Sequence, residues 1–138
     1  MSISCKSLYD DACREVGTGV GNDRIAASFV RACNRTLDEL SVKQDRATKY
    51  AHISSTSSII TELNAHYEYI IYSGIIYNLI RSGHRPSDPK IANVVYEDSK
   101  RRWEDGIADM IQEDDNAKNA SDTDVWGLGN VGTDTSDT

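Results

Sequence analysis

Three histidines, three cysteines and one glycine-rich stretch are the parts of this 138-residue chain with residue types that could do chemistry. His66 follows Glu62 by four residues, a spacing that puts both on one face of a helix. Two ligands fall short of the three or four protein groups that zinc takes, and nothing nearby supplies another. His52 sits in a polar connecting stretch and His84 between Gly83 and Pro86, each without an obvious partner. Cys5, Cys13 and Cys33 form no CxxC pair, and their odd number suits neither a disulfide framework nor a structural zinc site. They read as reduced thiols of a cytosolic protein, two of them partly buried. Gly17-Thr18-Gly19-Val20-Gly21-Asn22 shares its glycines with a phosphate-cradling loop. It lacks the buried strand before and the Gly-Lys-Ser/Thr after, so it reads as a turn between helices. A thiol nucleophile needs a nearby base and a lowered pKa, and no local motif recommends one. The expectation is a protein that is no enzyme, with no catalytic residue, no cofactor and no metal. The seven tyrosines carry more signal, four of them falling between Tyr67 and Tyr77. A tyrosine offers a large contact with a polar tip, which suits half-buried and interface positions.

The elements that must position these residues follow from hydrophobic period. Leu8, Ala12 and Val16 line one face of a first helix that starts at Ser4 or Ser7 and ends before Gly17. Asn22 or Asp23 caps a second helix of about 18 residues, in which Ile25, Phe29, Ala32, Cys33, Thr36, Leu37 and Leu40 keep the helical period. Arg24, Arg31, Arg35, Asp38 and Glu39 fall between them as the wet face. The pattern weakens from Val42 to Ser58, a long connection in which Tyr50-Ala51-His52-Ile53 could form a short strand. Connections of this length are uncommon in a domain and usually serve an interaction.

The third helix, placed from about Ile59 to Arg81, is apolar over more than one face: Ile60, Leu63, Tyr67, Ile70, Ile71, Gly74, Ile75, Tyr77, Leu79 and Ile80. Such a helix is buried on several sides, by its own domain or by neighbouring subunits. Gly74 at mid-helix costs about 1 kcal/mol against alanine, which is reasonable if another backbone passes close there. Gly83 supplies a left-handed C-cap, and Pro86 and Pro89 stop the helix. Pro89 then suits the first turn of a fourth helix capped by Ser87 or Asp88. Its stripe is Ala92, Val95, Tyr96, Ser99, Trp103, Ile107, Met110 and Ile111. Opposite charges four apart, Glu97 with Arg101, Asp98 with Arg102 and Arg101 with Asp105, lace its outside.

After Gln112 no period is visible, and Asp, Asn, Ser, Thr and Gly dominate. The predicted fold class is therefore mainly α: a small bundle of about four helices with a long irregular connection and a disordered C-terminal tail. Residues 1–112 form the helical domain and 113–138 the acidic tail. Within the tail Val125, Trp126, Leu128 and Val131 make an apolar island of the kind that orders against a partner.

Charge follows the same division. From Glu113 onward seven acids face one lysine, a net of −6, whereas fifteen acids and fourteen bases precede it, a net of −1. A near-neutral body argues against general nucleic-acid affinity, which needs a basic face to release counterions. Lys100-Arg101-Arg102 is a tight basic cluster with acids around it that neutralise it. The apolar stretch from Tyr69 to Ile80 is interrupted by Ser73, Gly74 and Asn78 and is shorter than the roughly 20 residues a membrane span needs. The N-terminus shows no basic region followed by an apolar run, so no signal peptide and no membrane association are expected.

The order of parts, with Ile60-Thr61-Glu62-Leu63-Asn64-Ala65-His66-Tyr67-Glu68 running into Ile70 through Gly83, and Trp103-Glu104-Asp105-Gly106-Ile107-Ala108-Asp109 on the last helix, resembles the head–tail connector (adaptor, or head completion) proteins of tailed bacteriophages. The likeness covers roughly residues 4 to 112, including the Phe29, Ala32, Asn34 and Leu37 order on the second helix. It implies a structural virion protein of the neck, assembled in the host cytoplasm. Copies would pack side by side as a ring homo-oligomer, a dodecamer, below the portal protein and above a tail or stopper protein. DNA would pass through the ring without specific recognition. Tyr67, Ile71, Gly74, Ile75 and Tyr77 are the residues expected for self-assembly or packing. Val125, Trp126, Leu128 and Val131 are expected to dock on the portal or on a neighbouring subunit. The competing expectation is a small DNA-associated protein, a transcriptional regulator or DNA-packaging subunit, with the first two helices as a helix-turn-helix presenting Arg24, Arg31, Asn34 and Arg35.

Overall fold

The fold begins with an Ile-Ser and an Ile-Ile dipeptide that find each other across the chain. In the computed structural model, which describes the backbone of residues 2–16 and 23–126 and the side chains of 2–16 and 24–116, strand β1 (Ile3–Ser4) pairs antiparallel with β2 (Ile59–Ile60). Ile3 lies opposite Ile60 and Ser4 opposite Ile59. The two-residue alternation of a strand sends Ile3 and Ile60 inward, both buried, and leaves Ile59 59% exposed. Cys5 N–H extends the ladder by donating to the Ser58 carbonyl at 3.0 Å.

Helix α1 (Cys5–Glu15) follows at once and buries Leu8, Tyr9, Ala12 and Cys13. Helix α2 (Asp23–Lys43) carries the core stripe that its period predicts: Ile25, Phe29, Ala32, Cys33, Thr36, Leu37 and Leu40 are all buried. Tyr9 meets Phe29 edge to face at 5.3 Å, the arrangement an aromatic quadrupole favours. The end of α2 is a Schellman turn. Asp45 N–H donates to the Val42 carbonyl and Arg46 N–H to the Ser41 carbonyl, both at 3.0 Å, with Asp45 in the left-handed region at φ 53°.

The third helix starts later than its apolar pattern predicts. Ile59 and Ile60 are in β2, residues 61–64 turn the chain, and Ala65–Tyr67 make one turn of 3₁₀ helix. Helix α3 proper is Glu68–Arg81. Two causes act together: a β-branched pair gains more from β1 than from a helix, and Asn64, in an extended conformation, accepts a bond from His66 N–H at 3.1 Å and so starts a new helical segment. Asn64 is thus a boundary inside the expected helix.

Gly83 closes α3 as the sequence predicts. Its φ is 100°, and the N–H groups of Gly83 and His84 donate to the carbonyls of Ile80 and Leu79 at 3.0 Å. Asp88 caps helix α4 (Pro89–Trp126) by accepting from Lys90 N–H at 2.9 Å. Helix α4 continues past Gln112 to Trp126, where composition alone predicts a tail. Propagating a helix already begun needs only local bonds and tolerant residues such as Ala117, Lys118 and Ala120. Gln112 reaching Asn116 at 3.1 Å, one turn on, is one such contact.

The chain divides into two units, Met1–Ile107 and Ala108–Thr138. In the first, α3 is the central element, with Ile70, Ile71, Ile75, Ile76, Leu79 and Ile80 buried. Two glycines let α4 approach it. A Cβ on Gly74 would lie 2.6 Å from Thr36 Cγ2 and 2.8 Å from Trp103 Cε3, and one on Gly106 would lie 2.6 Å from Ile70 Cγ2. Ile70 therefore faces Gly106, and Gly74 faces Trp103, so the two helices run antiparallel with a large residue set into a small one at each step. Side chains occupy the space at Gly74, where the sequence predicts a backbone.

Candidate interaction surface

Polar side chains on α2 decide where the long connection goes. Asn34, Asp38 and Ser41 recur at helical spacing, i, i+4 and i+7, on one face. The Asn34 amide accepts from Ile53 N–H at 2.7 Å and donates to the Ile53 carbonyl at 3.1 Å, as a neighbouring strand would. Ser41 Oγ accepts from Tyr50 N–H at 3.0 Å, and Asp38 holds His52 Nε2 at 2.9 Å. Glu62 accepts from Ala51 N–H at 2.7 Å from the other side. Tyr50-Ala51-His52-Ile53 forms no strand; side chains bond the N–H groups of Tyr50, Ala51 and Ile53 and the Ile53 carbonyl. The sequence reading assigns Asp38 to solvent and misses this role. The signal available was the polar i, i+4, i+7 row.

A second polar network joins α2 to α3. Asn78 is buried and donates to Thr36 Oγ1 at 3.0 Å and to Glu39 Oε1 at 3.2 Å. Arg81 donates to Asn78 Oδ1 at 3.2 Å and stands 3.6 Å from Glu39 Oε2. Its guanidinium lies 4.8 Å from the Tyr77 ring centre, and Tyr77 is 5.6 Å from Tyr96 of α4. Each buried polar group has a partner, so the network fixes a register without the cost of an orphaned group.

This network ends at a groove of about 550 Å³ where the chain turns from α3 into α4. Ile80, Arg81, Arg85, Pro86, Ala92 and Tyr96 are among its lining residues. Arg81 is held in place from behind, whereas Arg85 is exposed and forms no ion pair with another described residue. Beyond the rim Ile91 and Val94, one turn apart on α4, are 52% and 66% exposed. Between Arg81 and Tyr96 three bases face one acid, a local excess opposite in sign to the whole chain.

The residues expected for self-assembly divide. Ile71 and Ile75 are fully buried within the subunit, and Gly74 is closed by Thr36 and Trp103, so these three serve packing and offer no lateral face. Tyr67 and Tyr77 are half-buried, Tyr67 against the His66 ring at 4.0 Å and Tyr77 against the Arg81 guanidinium and the Tyr96 ring. Val125 and Trp126 belong to the last turn of α4, while Leu128 and Val131 lie outside the described residues, as does the glycine-rich stretch 17–22.

The thiols are more buried than predicted, all three being enclosed. Cys33 shares a hydrogen bond with Cys5, which together with burial pushes its pKa well above the ordinary thiol range. Burial also raises Cys13. The Tyr72 hydroxyl is raised by burial and by the Glu15 carboxylate, which accepts from it at 2.6 Å. These shifts favour protonated, unreactive groups. No three metal-ligating side chains converge among the described residues, and no described helix is long and apolar enough to cross a membrane. On α2, Asn34 is committed to Ile53 and Arg31 donates to Ser28 at 3.2 Å, which engages two of the four residues a recognition helix would present here. Asp98 binds Arg101 at 2.8 Å and Arg102 at 3.0 Å, so two of the three bases of the cluster are engaged within their own helix. Set against known proteins, the chain matches no family model, no curated protein and no solved structure.

Proposed function

We propose that this protein is a structural assembly subunit, a head–tail connector that packs with copies of itself as a ring below a phage portal. The observation that carries the reading is a division of labour along one helical hairpin. The isoleucines and Leu79 of α3 are buried inside the subunit, while Tyr69 on the same helix is left exposed. Among the described residues the exposed large apolar side chains are Val42, Ile59, Tyr69, Ile91 and Val94, and the last two stand where α3 turns into α4, beside two arginines and a tyrosine pair. A packed core with a separate contact surface is what repeated assembly requires, because each copy must fold before it joins.

The acidic segment beyond Ser121, with Val125, Trp126, Leu128 and Val131, supplies an arm of opposite character. Repetition of weak arm contacts around a ring makes attachment strong without a strong single contact. The body then links head to tail, and DNA passes through without sequence reading.

The test is co-sedimentation of the purified protein with tailless, portal-bearing capsids from its own source. Stoichiometric binding is expected, with loss on deleting Asp122–Thr138 while the helical circular dichroism of the body is kept. Absence of binding, together with salt-sensitive retention on DNA, would replace this reading with the DNA-associated one.

A further inference from the structure

The groove has an empty arginine, and the chain has an acidic arm with nothing basic in it. From Asp122 to the end there are four aspartates and no lysine or arginine, with Val125, Trp126, Leu128 and Val131 among them. The groove offers the complement: apolar Ile80, Pro86 and Ala92, the Tyr96 ring, and two guanidinium groups. Arg81 is pre-positioned by Glu39, Asn78 and Tyr77, so little side-chain entropy is lost when it meets a ligand. Among the described residues Arg85 has no ion pair to give up. A guanidinium fork beside an apolar floor recognises a carboxylate next to a large apolar side chain, and Arg also stacks on an indole face.

We propose that this groove receives the acidic segment Asp122–Thr138 of a second copy of the chain. Charge complementarity selects the occupant: the segment holds four aspartates beside large apolar residues and no base, and Arg81 to Tyr96 is basic in a chain of net charge −7. The inference rests on the connector reading for the ring that such arm-to-groove contacts would close; the contact itself is measurable without portal or capsid.

The experiment is sedimentation velocity of the full chain at low and high ionic strength, with two charge reversals. Wild type associates at low salt and dissociates at high salt, because the contact is partly exposed and screened. Arg85→Glu weakens association by about tenfold or more, and so does the arm variant Asp122→Lys/Asp124→Lys. Mixing the two variants restores association, since the reversed arm of one fits the reversed groove of the other. Arg85 is exposed, so its reversal leaves the fold intact, which circular dichroism checks.

Association of Arg85→Glu equal to wild type overturns the proposal. So does a wild type that is monomeric at both salts, or a mixture no better than its components, as would follow if each arm docked within its own chain. Capsid binding by Arg85→Glu at wild-type level, alongside lost self-association, would separate the two ideas: the connector reading would stand with a different route to the ring. Wild type that self-associates in this charge-dependent way but does not bind capsids would leave the groove assignment and remove the connector reading.

Discussion

Two regions press against α2 by different means. The crossing of α3 and α4 is made by shape: Gly74 takes Thr36 and Trp103, and Gly106 takes Ile70. The connection at residues 50–53 is made by hydrogen bonds: Asn34 and Ser41 bond its backbone, and Asp38 bonds the His52 ring. The first is short of space and the second short of backbone partners. Their failure modes differ accordingly: a shaped contact fails through volume, a bonded one through an orphaned group.

The largest expected effect is at the shaped contact. Trp103→Ala removes a buried indole and should cost about 3–5 kcal/mol in a chemical denaturation midpoint. Gly74→Ala should cost about 1–3 kcal/mol by overpacking, in spite of alanine's better helix propensity. In the double variant the cost of Gly74→Ala should fall, because the Trp103 ring is gone, but not vanish, because Thr36 Cγ2 at 2.6 Å remains. Additive costs would mean that Thr36 alone limits the space there.

At the bonded contact Asn34→Ala should cost about 1–3 kcal/mol by leaving Ile53 N–H and C=O without their partner. Its signature is local: amide exchange and proteolysis at residues 46–58 should rise, while protection in α3 is kept. Uniform loss of protection would show that the connection is part of the core's cooperative unit.

How legible all this was depends on the type of contact. Ile25 through Leu40, Gly83 and the Asp88–Pro89 start follow from period and from backbone chemistry that one residue dictates, and they lie where the sequence puts them. The start of α3 does not, because Ile59-Ile60 read as helix until Ile3, more than fifty residues away, is brought opposite Ile60. The row of Asn34, Asp38 and Ser41 looks like a solvated face, since a polar side chain pointing at water and one pointing at a backbone share the same spacing. The groove was equally hidden: Arg81 and Arg85 are ordinary helix-end cations until Tyr77 and Tyr96 are placed beside them. Pairing across long separations and the use of polar faces are the properties that period cannot carry.

The smallest effect sharpens the comparison from outside both contacts. Asp45 holds a left-handed conformation that glycine adopts freely, so Asp45→Gly should stabilise by about 0.5–1 kcal/mol. Gly83→Ala should cost a similar amount for the converse reason, since nothing lies within 4 Å of the added methyl and backbone strain is the whole effect. Thermal midpoints of the two variants should therefore move in opposite directions.

The most direct test of the assembly reading is imaging of the portal vertex after the purified protein has been added to tailless capsids. The account predicts a closed symmetric ring below the portal, with each copy touching the next at the turn from α3 into α4. Vertices that stay bare, or copies bound singly with no contact between neighbours, would contradict it.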